Sequence, residues 1–162
     1  MTPVPVVIDA DAETDDAIAI LLAAIHPGLD LLGVSTASEE EAATVRGMVA
    51  QGGVDVDVHA GTSWLLSTLA ESSAPVALVT TGPLTNLAAA LAADRSLTGS
   101  VARLVVLGGT HREPGVTPYA DRNVWSDPRA AAAVLAAPFR DVLLVTADAT
   151  AAADRKSTRL NS

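Results

Sequence analysis

The apolar positions of the chain switch between two periods in a regular alternation. Residues 4–9 are a short β-branched run and predict a buried strand. Residues 15–25 predict an almost wholly apolar helix with Asp15 and Asp16 in its first turn, stopped by His26-Pro27-Gly28. A second strand is predicted over 31–36. Ser38 and Glu41 form an S-x-x-E capping box that opens a helix to about Gln51, where Gly52-Gly53 ends it. Residues 54–59 alternate as a shorter strand, 64–69 form a helix and 76–80 a strand. Gly82-Pro83 leads into a helix through Ala93, with Pro83 suited to its first position. Residues 104–107 predict a strand stopped by Gly108-Gly109, followed by a polar loop to about Trp125. Ser126 and Asp127 can cap a helix over 128–137, and 141–146 is the last strand.

Strand and helix thus alternate, and the strands are continuously apolar. That pattern predicts an α/β fold: an open, mostly parallel, Rossmann-like sheet with helices on both faces. Ligands of such sheets lie beyond the carboxyl ends of the strands, so polar residues just after strands are where chemistry is sought. The only repeat is the alternation itself, and no internal linker interrupts it.

Composition narrows the function classes. Of 162 residues, 49% are hydrophobic and 18% charged, enough for a packed core. The net charge of −9 and the lack of a basic face argue against nucleic-acid partners. There is no cysteine, which excludes disulfides and thiolate metal sites. No apolar run reaches the roughly 18 residues of a membrane span. The opening Met1-Thr2-Pro3-Val4-Pro5 carries no basic leader, so the expected location is the cytoplasm. The end of the chain differs. Residues 154–162 hold the only lysine, Lys156, with Arg155 and Arg159 beside it. This string is similar to an in-frame translation of a sequencing-library adapter. The expectation is a gene-derived N-terminal part of a domain over 1–153 and a non-native tail over 154–162; a natural basic tail is the alternative.

The main chemical signal follows the first strand. Asp9, Asp11, Glu13, Asp15 and Asp16 place five carboxylates in eight residues, between a buried strand and a buried helix. Their repulsion is costly unless a cation neutralises it. Extended backbone points Asp9 and Asp11 the same way, and Asp15 and Asp16 turn back toward the same mouth. Oxygen ligands without Cys or clustered His favour Ca²⁺ or Mg²⁺. Read structurally instead, Asp15 and Asp16 complement the helix dipole and Asp11 caps it. An EF-hand loop does not fit, because its glycine and terminal glutamate are missing.

The segment Val7-Ile8-Asp9-Ala10-Asp11 through Asp15-Asp16-Ala17 resembles the opening signature of the nucleoside hydrolases, D-T-D-P-G-x-D-D-A. Gly33-Val34-Ser35-Thr36 resembles the family's second strand end. Thr80-Thr81-Gly82-Pro83-Leu84-Thr85-Asn86-Leu87 is similar to its T-G-P-L-T-N. Val105-Val106-Leu107-Gly108-Gly109, Val116-Thr117-Pro118, Asn123 and Asp127-Pro128 resemble its G-G, V-T-P, N and D-P block. The four segments stand in the family's order.

The resemblance implies Ca²⁺-dependent hydrolysis of the N-glycosidic bond of ribonucleosides to base and ribose. It implies Asp11 as Ca²⁺ ligand and general base, Asp16 as a second ligand, and the Leu107 carbonyl as part of the shell. Asp15, Asp121 and Asn123 would contact the ribose, Asp121 replacing the family's glutamate, and Asp9 would support the loop. The parent is expected to be a homo-oligomer. A further Asp ligand and a His acid would come from a C-terminal half. The chemistry suits the residues: an oxocarbenium-like ribosyl cation is stabilised by carboxylates, and Ca²⁺ positions water and lowers its pKa.

This chain departs from the pattern at named places. Ala12-Glu13 replaces the usual P-G, which removes glycine's freedom and adds a charge. Ala37-Ser38-Glu39-Glu40 follows Thr36 where the family usually has G-N, and Gly115 stands where it often has asparagine. Two other readings remain open. One is a haloacid-dehalogenase-type phosphatase, which shares D-x-D after a first strand but needs Thr where Glu13 stands. The other is a non-catalytic member that binds nucleoside or metal. Among lesser candidates, His111 is a proton donor or a solvated loop residue. Trp125 lines a base pocket or packs in the core. His26 reads as structural at a helix end, and His59 has no evident partner.

Overall fold

The first strand, β1 (Val4–Ala10), alternates its side chains between two cores. Val6, Ile8 and Ala10 face one cluster, and Val7 faces the other. This period of two explains why the run is apolar throughout: both of its faces are covered. The computed structural model of the protein describes residues 2–160, with backbone alone for 154–160. Its remaining strands are β2 (Leu29–Thr36), β3 (Val58–Ala60), β4 (Val76–Thr80), β5 (Val101–Leu107) and β6 (Val142–Val145). They form one sheet in the order β3-β2-β1-β4-β5-β6, and every pair is parallel.

Helices cover both faces, as the sequence predicts. On one side α1 (Thr14–Ile25) and α2 (Glu39–Gln51) bury Ile20, Ala23, Val45 and Val49 against the sheet. On the other, α3 (Thr62–Glu71), α4 (Thr85–Ala93) and α6 (Pro128–Leu135) bury Leu65, Leu87 and Val134. Fully burying a side chain such as Ile20 or Leu87 stabilises by roughly 1.5–3 kcal/mol. Two short or late α-helices, α5 (Arg122–Ser126) and α7 (Ala147–Leu160), and a 3-10 turn over Arg95–Gly99 complete the helices among the described residues.

Several elements differ from their sequence expectation. Residues 54–57 are not strand. Gly53, at φ 70°, closes α2, with Val54 N–H donating to Val49 O. The Asp57 carbonyl then takes Val34 N–H, just before β3 pairs with β2. Pro83 is not the first helical residue, because α4 starts at Thr85. Of the expected caps for α6, Asp127 accepts from Ala130 N–H, whereas Ser126 donates to Arg122 O and belongs to α5. The polar loop before Trp125 contains α5, which Asp121 caps through two backbone N–H groups. The expected boundary near Ala153 falls inside α7; residues 161 and 162 lie outside the described residues.

The sheet ends at β6, where Val142, Leu143 and Leu144 are all exposed although their side chains alternate between faces. An apolar stripe at helical spacing, Ile18, Leu22 and Ile25, is exposed along α1. No described helix is long and apolar enough to cross a membrane.

Candidate active site

Strand register brings the site together. Asp9 pairs with Ser35 on β2 and with Thr80 on β4, so three strands end side by side with polar residues at their carboxyl ends. Asp9 is buried, and its Oδ1 accepts from Ser35 Oγ at 2.6 Å and from Asn86 Nδ2 at 2.7 Å. Burial pushes its carboxyl up to about 6, partly opposed by those two hydrogen bonds. Its backbone carbonyl accepts Thr81 N–H at 2.9 Å, which ties the end of β1 to the loop after β4.

Beyond β1 the chain makes a sharp turn. Ala12 has φ 65°, making it the one non-glycine residue in the left-handed region among those described. The turn presents Asp11 toward Asp16 at the start of α1. Asp16 is buried, and its Oδ2 accepts Glu13 N–H at 2.9 Å. Burial first, then the charge of Asp16 and a hydrogen bond with its carboxyl, push Asp11 up to about 7. Asp11 is roofed by Gly82. A Cβ on Gly82 would lie 2.6 Å from Asp11 Cβ, so only glycine permits this approach.

The remaining expected residues gather on the next loop. Asp121 Oδ1 accepts from Gly109 N–H at 2.8 Å and Val124 N–H at 3.2 Å, and Oδ2 accepts from Asn123 N–H at 3.2 Å. Asn123 Nδ2 donates to Thr81 O at 2.8 Å and to Leu107 O at 2.9 Å, so its amide bridges the ends of β4 and β5. The Leu107 carbonyl is therefore already an acceptor, with one lone pair left for a further partner. Asp15 is exposed at the mouth.

Two chambers hold most of the expected site residues, beside a shallower third lined by Ala12, Glu13, Thr14, Asp15, Ile18 and Arg122. One, of about 320 Å³, is lined by Asp9, Asp11, Glu41, Gly82, Thr85 and Asn86 among others. The second, of about 540 Å³, is lined by Asp15, Thr81, Leu107, Asp121 and Asn123 among others. Sequence reasoning missed Ser35 and Asn86 as the partners of Asp9, although both lie in quoted motifs; a polar residue on an otherwise apolar strand or helix end was the available signal. It also missed the ion pair from Arg122 Nη2 to Glu13 Oε1 at 2.6 Å.

Other candidates resolve differently. His59 does have a partner: it stacks on Trp64, with centroids 4.7 Å apart and planes 8° from parallel. His111 is exposed on a loop whose backbone N–H groups at His111, Arg112 and Glu113 all donate to Asp148. Trp125 is 56% exposed and lies neither in the core nor among the residues lining either chamber.

Among the described residues no group of three His, Cys, Asp or Glu side chains is disposed to hold a metal ion. The donor chemistry of Asp11 and Asp16 nevertheless fits part of a hard-cation shell. Two carboxyl groups in contact, with no cationic side chain among the causes that shift Asp11, repel unless a proton or a cation lies between them.

The comparisons with known proteins bear on the family and the fold. The family model for inosine-uridine preferring nucleoside hydrolase matches residues 39–162, downstream of the acidic cluster. The pyrimidine-specific ribonucleoside hydrolase RihA of Photobacterium profundum is 30% identical over 78% of this chain and 55% of its own length. RihB of Escherichia coli, described in the same words, is 27% identical over 80% of this chain and 55% of its own. The plant nucleoside hydrolase PpNRh1 superposes with TM-score 0.82 at 25% identity, over 90% of this chain and 60% of that one. The Bacillus anthracis inosine-uridine preferring nucleoside hydrolase superposes with TM-score 0.76 at 23% identity, over 90% and 65%. The chain thus spans about half the length of the curated relatives it matches. Nothing in these likenesses favours the phosphatase reading. With four motifs in order, the strand register and the family match, the chain belongs to the inosine-uridine preferring nucleoside hydrolase family.

Proposed function

We propose that this chain carries the water-activating part of a ribonucleoside hydrolase that cleaves the N-glycosidic bond to base and ribose. The observation that carries it is the Asp11–Asp16 carboxyl contact, held by burial at the carboxyl end of β1 under Gly82. Asp11 and Asp16, with the Leu107 carbonyl, would hold Ca²⁺ together with oxygens from elsewhere in the protein. When bound, that ion would orient water and lower its pKa.

The chain's own residues then have separable tasks. Asp11, placed beside Asp16 at the carboxyl end of β1, accepts the proton of the attacking water. Asp9 holds the turn through Ser35, Asn86 and Thr81 and adds negative potential behind it. Asp15 and Asp121 face the second chamber, where carboxylates stabilise the positive charge that develops on the ribosyl ring. Asn123 fixes the spacing of the β4 and β5 ends that frame the ribose.

RihA, RihB and the solved relatives support a nucleoside as substrate. A cytoplasmic salvage role and a homo-oligomeric parent belong to the same reading. The test is ribose release from a panel of purine and pyrimidine nucleosides by the full-length protein, with and without chelator. The reading expects release that chelation abolishes and Ca²⁺ restores. Turnover indifferent to chelation would remove the metal from it, and no release from any nucleoside would remove the hydrolase.

A further inference from the structure

The two chambers of the cleft meet at one pair of side chains. Among the described residues, only Glu13 and Arg122 line both chambers. These two are joined by the 2.6 Å ion pair that runs from the N-terminus of α1 to the first residue of α5. Both anchors are fixed. Glu13 N–H is held by Asp16, and Asp121 caps the helix that Arg122 opens. Asp11 lies on one side of the pair, and Asp15, Asp121 and Asn123 on the other.

We propose that the Glu13–Arg122 ion pair is a partition across the cleft that a substrate must open, which makes these two residues determinants of substrate affinity. The proposal rests on the hydrolase reading above, because a nucleoside that touches both Asp11 and the ribose-side residues has to cross the line of the pair. Glu13 stands where the resembling signature has glycine, so the partition is a feature of this chain's own sequence. The Arg122 and Glu13 side chains are 70% and 38% exposed, and such a pair couples weakly, so opening it costs a factor of about two to five in binding. Salt screens it and opens it further.

The experiment compares the full-length protein with Glu13→Gln, Arg122→Gln and the double variant, in ribose release from inosine and uridine at low and high salt. The expected result is a KM about two- to fivefold lower in each single variant, no further fall in the double, an unchanged kcat in Arg122→Gln, and a wild-type KM that drops with salt while the variants' do not. Variants that keep the wild-type KM and its salt dependence, or whose effects add, overturn the proposal. A second readout needs no turnover: the indole N–H resonance of Trp125, on α5 with Arg122, shifts with salt in the wild type and not in Glu13→Gln. That shift in a protein that releases no ribose overturns the hydrolase reading and keeps the partition. A Trp125 resonance with the same salt response in both proteins overturns the partition.

Discussion

Asn86 Nδ2 donates to Asp9 Oδ1 across 2.7 Å, joining the first turn of α4 to the end of β1. The acceptor is a buried carboxyl already pushed up to about 6, and Ser35 is the other donor to the same oxygen. Replacing Asn86 by Leu keeps the volume and deletes the donor. The expected cost is about 1–3 kcal/mol of stability at neutral pH. Asp9 moves further up, because a bond that favours its charged form is gone. Thermal melts against pH check both.

Gly82 and Asp11 are in closer contact than any side chain allows. Gly82→Ala therefore displaces Asp11 or the loop after β4. A shift of about 1 Å at a proton acceptor costs on the order of a hundredfold in rate, so kcat falls by about that much. Circular dichroism and melting temperature stay close to wild type, which separates this effect from unfolding.

Ala12 occupies a left-handed conformation that costs an L-residue about 1–2 kcal/mol. Ala12→Gly relieves that cost and loses part of it to the looser unfolded chain, leaving a net gain of up to about 1 kcal/mol. Denaturant unfolding measures it; a destabilised variant would show that the turn is not strained.

Asp148 accepts N–H groups from His111, Arg112 and Glu113, which hold its carboxyl down at about 2 from an ordinary 3.8. A depressed folded-state value stabilises above the unfolded value. That contribution is complete above about pH 4 and is lost as pH falls from there through about 2. Asp148→Ala removes this part of the acid dependence and speeds amide exchange at residues 111–113. Exchange unchanged by the substitution would refute the clamp.

Much of the architecture was legible because it rests on period. The run at Val6, Val7 and Ile8 is covered on both faces, and the helical spacing around Ile20 sets Ile20 and Ala23 on the sheet while leaving Ile18, Leu22 and Ile25 outside. The acidic cluster was legible too, since Asp11 and Asp16 are close in sequence as well as in space. What the sequence hid is long-range. Ser35 and Asn86 meet Asp9 only because a strand 26 residues away shares its sheet and a helix 77 residues away packs on that sheet. The partner of Glu13 lies in α5, a one-turn helix inside a stretch with no apolar period. Residues 54–57 alternate like a strand but lose their place to the closing turn of α2.

The central claim is that Asp11 and Asp16 together hold a divalent cation. Calorimetric titration of the metal-stripped full-length protein with Ca²⁺ tests it most directly, beside Asp11→Asn and Asp16→Asn. The account predicts one saturable site in the wild type that disappears in both variants. Equal binding in all three proteins, or ribose release that persists with no bound Ca²⁺, would contradict it.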